Sequence, residues 1–221
     1  MLNRMILAVG ITTLAIVGAI AVAQEPNELS GKVAERADDV HPLLIGVSVP
    51  DVVLNDVEGK QVKLHSLVEQ KPTVLIFYRG GWCPYCNLQL EQLHAIEGDV
   101  LKEGYQIVAV SADRPENVKK SIEKHDLHYI LLSDSTMNAA KAFGLAFRVT
   151  DEAVERSKKY GVDLEAASGL SHHILPVPAV FIIQKDGSIL FEYVNPNFKV
   201  RLNAHVLLAI LKAENEQPEK K

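Results

Sequence analysis

An apolar run that ends in two glycines, a cysteine pair and a helical pattern leaves a chain few ways to fold. Val74 to Tyr78 is β-branched and aromatic, and Arg79-Gly80-Gly81-Trp82-Cys83-Pro84-Tyr85-Cys86 follows it. Apolar residues without polar alternation suit a strand covered on both faces. From there Leu88, Leu90, Leu93 and Ile96 recur at a helical period. The cysteines therefore fall at a strand-to-helix corner, with Pro84 in the first helical turn, where its missing N–H costs nothing. Unpaired backbone N–H groups and the positive end of the helix dipole favour a thiolate there, and a lowered thiol pKa makes a cysteine nucleophilic near neutral pH. The spacer of two residues lets the second thiol reach the first. These are the only 2 cysteines of the 221 residues. Zinc would need two further ligands, and the 8 histidines show no spacing that completes a finger. No metal and no cofactor are expected, and redox chemistry is the favoured use of the pair.

The N-terminus bears on where that chemistry takes place. Arg4 precedes an apolar run from Ile6 to Ile20, and Ala21-Val22-Ala23 closes it with the small-x-small pattern of a signal-peptidase site. Residues 1–23 read as a signal peptide, with an uncleaved membrane anchor as the alternative. Both place the body of the protein in an exported compartment, periplasmic or secreted, where disulfides persist. A cross-link closing so small a loop stabilises little, so a catalytic disulfide fits better than a structural one. Residues 24–45 form a polar leader with weak helical spacing at Leu29, Val33 and Ala37, and residues 214–221 form a charged tail. A net charge of −5 argues against nucleic acid as a partner, since binding phosphates needs a basic face.

Between leader and tail, residues 46–213 read as one domain. Val52 to Leu54 and Gln61 to Leu64 flank a turn and predict a hairpin. Gln106 to Ser111 and Tyr129 to Leu132 predict further strands, alternating with helices over 115–125 and 136–143. Residues 148–170 are charged and predict a surface insertion with a helix from Glu152 to Tyr160. Pro178 to Ile183 and Ser188 to Tyr193 flank Lys185-Asp186-Gly187 as a second hairpin, and Val200 to Lys212 closes the chain as a helix. Alternating β and α units demand a parallel sheet with right-handed crossovers, and hairpins add antiparallel strands. The expectation is an α/β sandwich with a mixed central sheet, an N-terminal β-hairpin and helices on both faces. Sites in such sheets form at the carboxyl ends of strands, where Cys83 falls.

Cys-x-x-Cys after Trp82 at a strand-to-helix corner, with a distant Val177-Pro178 before a hairpin, resembles the thioredoxin superfamily. Gly46-Val-Ser-Val-Pro-Asp51, the hairpin through Gly59-Lys60 and Val62-Lys-Leu64, and Phe77-Tyr-Arg-Gly-Gly-Trp-Cys-Pro-Tyr-Cys86 are similar to the peroxiredoxin-like branch of the alkyl hydroperoxide reductase/thiol-specific antioxidant family. The resemblance covers about residues 43–212. The family's peroxidatic motif, Pro-x-x-x-Thr/Ser-x-x-Cys, laid onto this chain puts its cysteine on Cys86, its Thr/Ser on Cys83 and its proline on Arg79. Pro178 stands where peroxiredoxins carry an arginine, and it matches instead the cis-proline that thioredoxin-like folds set against the disulfide. The scaffold thus resembles a peroxiredoxin and the active-site residues a thioredoxin. The first reading makes Cys86 the attacking sulfur and the second makes it Cys83.

The resemblance implies an exported thiol-dependent antioxidant oxidoreductase that reduces peroxides through Cys83 and Cys86, recycled by an external thiol or dithiol donor such as a thioredoxin-like protein. Disulfide exchange with exported proteins is the alternative, copper binding a more distant one, and a homodimer is compatible with either activity. Cys83–Cys86 is expected as an intrachain disulfide, and Val177–Pro178 as a cis bond against it. Trp82 is expected to pack beside the sulfurs, and Arg79 to lower a thiol pKa or bind a peroxide oxygen. Arg148 is a weaker cationic candidate. Of His172 and His173, at most one should face the site, because neighbours on an extended chain point apart.

Overall fold

The computed structural model describes residues 31–216. The expected signal peptide, 1–23, lies outside the described residues, as do the first part of the leader and most of the tail. The first half of the domain runs β1 (Val53–Asn55), β2 (Gln61–Lys63), α1 (Leu64–Val68), β3 (Thr73–Tyr78), α2 (Pro84–Lys102) and β4 (Gln106–Ser111). Then come α3 (Pro115–His125), β5 (Ile130–Ser133), α4 (Asn138–Ala142), β6 (Ala146–Arg148), α5 (Asp151–Lys159) and α6 (Leu164–Ser168). The chain ends through β7 (Ile174–Pro176), β8 (Ala179–Ile183), β9 (Ile189–Val194) and α7 (Ala204–Asn215).

Seven strands form one mixed sheet in the order β2-β1-β5-β4-β3-β8-β9. The centre is parallel, with Tyr78 opposite Ser111 and Ser111 opposite Ser133, while β8 runs antiparallel to β3. All six residues of β3 are buried, as its lack of polar alternation demands. Its side chains divide between two cores. Val74, Ile76 and Tyr78 face α2, α3 and α7, whereas Leu75 and Phe77 face the side covered by α1, α4 and the β6–β7 ribbon. On that second side Phe77, Phe143 and Phe181 meet as a trio, with Phe143 centred 5.0 Å from Phe77 and 5.2 Å from Phe181. Among the described residues no helix is long and apolar enough to cross a membrane.

Three local expectations change. Arg148 does not begin the surface insertion, because it belongs to β6, which pairs with β7 and closes the base of the segment that carries α5 and α6. Where it is described, the weak helical spacing of the leader yields only one short 3-10 turn, Ala37–Asp39, and the Ala34 N–H donates to Ala146 O while the Arg148 N–H donates to Ala34 O, so that stretch lies as an added bridge on β6. The last helix starts at Ala204, capped by Asn203, whose side chain accepts the His205 N–H. That leaves Val200 and Arg201 in a loop, and the loop reaches the cysteines.

Candidate active site

The turn after β3 is built on backbone that only glycine supplies. Gly80 has φ +151°, which side-chain residues rarely adopt, and a Cβ on Gly81 would collide with Ser121 Oγ. The close approach lets the Gly81 N–H donate to Asp113 Oδ2 at 2.7 Å, while the Trp82 indole N–H donates to Oδ1 at 3.2 Å. Asp113 is itself held from below. Its N–H donates to Ser111 Oγ at 3.0 Å, and its carbonyl accepts from Ser133 Oγ at 2.7 Å. Asn87 reaches back from α2 and donates to Gly81 O at 2.9 Å. Cys83 then occupies the N-cap of α2 with Pro84 behind it, and its carbonyl accepts the N–H groups of Cys86 and Asn87.

Both sulfurs are free thiols inside the protein, with Cys83 1% and Cys86 0% exposed. The pair is present as two thiols and not as the expected disulfide. The two thiols are not equivalent. Cys83 is pulled down from its ordinary 9.0 to about 6, mainly because the Cys86 thiol hydrogen-bonds to it, which outweighs desolvation. The Cys86 N–H and the charges of Arg79 and Arg201 add to this. Cys86 moves the other way, held well above its ordinary range first by burial and then by its bond and charge coupling to Cys83. Asp113 is pushed up from 3.8 to about 6 by burial, against the pull of the Gly81 and Trp82 donors. Its folded pKa lies above the unfolded one, so its contribution to stability is complete below about 4 and is lost as pH rises through about 6. Cys83 has the opposite sign: its thiolate stabilises the reduced fold above about 9, and that contribution is lost as pH falls through about 6.

Two arginines flank the pair. Arg79 packs its guanidinium over Phe198 at 4.2 Å and beside Trp82 at 5.0 Å from the ring centroids. Burial lowers its pKa while the two cysteines raise it. Arg201, which the sequence reading missed, is the better-positioned cation. It donates through Nε to Phe198 O at 2.8 Å, through Nη1 to the buried Gln89 Oε1 at 2.7 Å and through Nη2 to Cys86 Sγ at 3.3 Å. A guanidinium thus approaches the sulfurs from the loop before α7, although Pro178 stands where the family's arginine would be.

The remaining candidates are placed as follows. Trp82 packs against both cores with its indole N–H committed to Asp113. Pro178 is buried on the same cleft as Arg79, but the cis bond expected at Val177–Pro178 is absent: among the described residues every peptide bond is trans. The Val177 N–H donates to Leu145 O and Pro178 O accepts from the Asn195 N–H, so the chain passes extended from β7 into β8. His173 has φ +52°, so the premise of an extended chain fails at the His172–His173 pair. Both histidines line a small cavity with Arg79, Trp82 and Asp113, yet each is committed elsewhere, His172 Nε2 to Ser135 O and His173 Nε2 to Glu165 Oε1. Among the described residues the group of side chains close enough to hold a metal ion, His94, Glu97 and His128, includes neither cysteine.

A profile of the AhpC/TSA family matches residues 45–191. Peroxiredoxin Bcp of Escherichia coli K12 is 30% identical over 173 residues, which cover 78% of this chain and 98% of that protein. The thiol-disulfide oxidoreductase ResA of Halalkalibacterium halodurans is 30% identical over 101 residues, 45% of this chain and 56% of that one. The crystal structure of peroxidoxin BcpB from Mycobacterium tuberculosis has the same fold, with a TM-score of 0.61 at 23% identity over 76% of this chain and 96% of that one.

The protonation pattern makes a direct prediction. In reduced protein, alkylation of Cys83 by iodoacetamide should rise with pH and level off above an inflection near 6, while Cys86 stays unmodified through neutral pH. Peptide mapping that finds Cys86 modified first, or an inflection near 9 for Cys83, would overturn the assignment.

Proposed function

The chain belongs to the AhpC/TSA family, and on that premise we propose that it reduces peroxides with Cys83 as the attacking thiolate and Cys86 as the resolving thiol. That it is a thiol-dependent oxidoreductase follows from its relatives. The choice of peroxide rests on one observation, the burial of both sulfurs. A hydroperoxide is small enough to reach a sulfur that is 1% exposed, whereas the backbone flanking a protein disulfide is not.

The chemistry runs on the inequality of the two thiols. The Cys83 thiolate attacks the terminal peroxide oxygen, the O–O bond breaks, and Cys83 becomes a sulfenic acid. The leaving alkoxide takes the proton that Cys86 holds at neutral pH. Cys86 is thereby left as a thiolate, and Arg201 Nη2, at 3.3 Å, is in place to stabilise it. That thiolate displaces hydroxide from the sulfenic sulfur, and with one solvent proton the products are a Cys83–Cys86 disulfide, an alcohol and water. Arg79, stacked between Phe198 and Trp82, offers a fixed cation to the oxygen that gains charge. No third cysteine exists, so the disulfide is returned to dithiol by an external donor. Residues 1–23 support export of the protein as the setting for this cycle. N-terminal sequencing of protein from the cell envelope should then begin at Gln24, and a start at Met1 in cytosol would remove the export reading.

The roles separate in single-cysteine variants. In stopped-flow oxidation by hydrogen peroxide, Cys86→Ser should react once per chain and stop at a sulfenic acid that traps dimedone. Cys83→Ser should fall to the rate of free cysteine. Fast oxidation of Cys83→Ser would instead make Cys86 the attacking sulfur, as the family's motif register has it. If neither variant outpaces free cysteine while the same sample reduces insulin, disulfide exchange replaces peroxide reduction.

A further inference from the structure

Away from the cysteines, two imidazoles and a carboxylate converge where α2 meets the connection from α3 to β5. His94 and Glu97 stand one turn apart on α2, with His94 Nδ1 3.3 Å from Glu97 Oε2. His128 comes from the loop before β5, its ring edge-on to that of His94 with centroids 5.1 Å apart. One ligand atom from each of the three lies within 4.8 Å of the others. A buried neighbour holds the arrangement: Tyr129 donates its hydroxyl to Leu90 O at 3.0 Å, which pins the residue after His128 onto α2. His94 lies eight residues past Cys86, about 12 Å along the helix axis, so the group is separate from the reactive corner.

We propose that His94, Glu97 and His128 form a site for a divalent transition-metal ion of the zinc class, which ties α2 to the α3–β5 connection. The Glu97 side chain is only 14% exposed, and among the described residues its ion-pair partner is His94. A neutral imidazole gives that carboxylate a hydrogen bond but no charge, whereas a dication meets the charge directly. Zinc takes imidazole nitrogen and carboxylate oxygen at about 2.0–2.2 Å in a tetrahedron, so its ligand atoms sit about 3.3 Å from one another. His94 and Glu97 already have that spacing. The His128 side chain is 65% exposed and has room to turn its ring to the same point. Asp126 adds a second carboxylate, 3.5 Å from His128 Nε2, able to take the fourth position or to orient the ring. Two nitrogen donors disfavour Mg²⁺ and Ca²⁺, which take oxygen throughout.

The test is isothermal titration of the untagged full chain with Zn²⁺, in a background of Cys83→Ser with Cys86→Ser so that no thiolate competes for the metal. One ion should bind per chain, and Mg²⁺ in its place should give no binding. Tm should rise in Zn²⁺, because the ion binds the folded chain and not the unfolded one. His94→Gln and His128→Gln should each weaken binding by at least about tenfold, since removing even a group that only orients a ligand costs about 10–100-fold. The exposure of His128 lets its variant report on the ligand with the fold intact. Absence of zinc binding, or one-to-one binding that survives both His94→Gln and His128→Gln with its affinity and its rise in Tm unchanged, would overturn the site.

Discussion

Two thiols side by side in a protein interior can share one negative charge but cannot hold two. At about 4 Å and an effective dielectric of about 20, two unit charges repel by about 4 kcal/mol, which is roughly three pKa units. That constraint forces a division of labour on Cys83 and Cys86. The N-cap position, with nearby N–H groups and a bond from its partner, gives the charge to Cys83. Burial leaves the proton on Cys86. In the proposed cycle Arg201 matters in time as well as in place, because its contact is with Cys86, the sulfur that this cycle charges only after the first step.

The scaffold exists to hold that corner still. Asp113, at the end of β4, binds the Gly81 N–H and the Trp82 indole together, so the turn is fixed to the sheet and not to solvent. A carboxylate that is 2% exposed is unfavourable unless its oxygens are filled, and here both are. The two glycines follow from the same contact: any side chain on Gly81 would meet Ser121 before the N–H could reach Asp113. Sheet position, turn geometry and thiol ionisation are therefore one linked problem.

Much of this was legible in the chain because it is local. The uniform apolar character of Val74 to Tyr78 marked β3, Pro84 after Cys83 marked the helix start, and Lys185-Asp186-Gly187 marked the last hairpin. What the sequence could not disclose depends on contacts across long separations. Arg201 meets Cys86 over 115 residues, and Asp113 meets Gly81 over 32, with no periodicity to announce either. The β6–β7 ribbon was missed because each strand is three residues long and is stabilised mainly by the other. The cis-proline expectation failed for a related reason. It was carried by likeness to thioredoxins, whereas here the Val177 N–H donates to Leu145 O and Pro178 O accepts from the Asn195 N–H, which holds the Val177–Pro178 pair extended between β7 and β8.

Cys83 is held ionised chiefly by the hydrogen bond that the Cys86 thiol donates to it. The most direct measurement is an ultraviolet thiolate titration of the reduced Cys86→Ala variant beside the unmodified chain. Cys83 should titrate near 6 in the unmodified chain and should move well up toward 9 once the partner thiol is gone, because desolvation is then opposed only by the arginines and the helix start. If Cys83 still titrates near 6 without Cys86, or titrates near 9 with it, the coupling between the two thiols is contradicted.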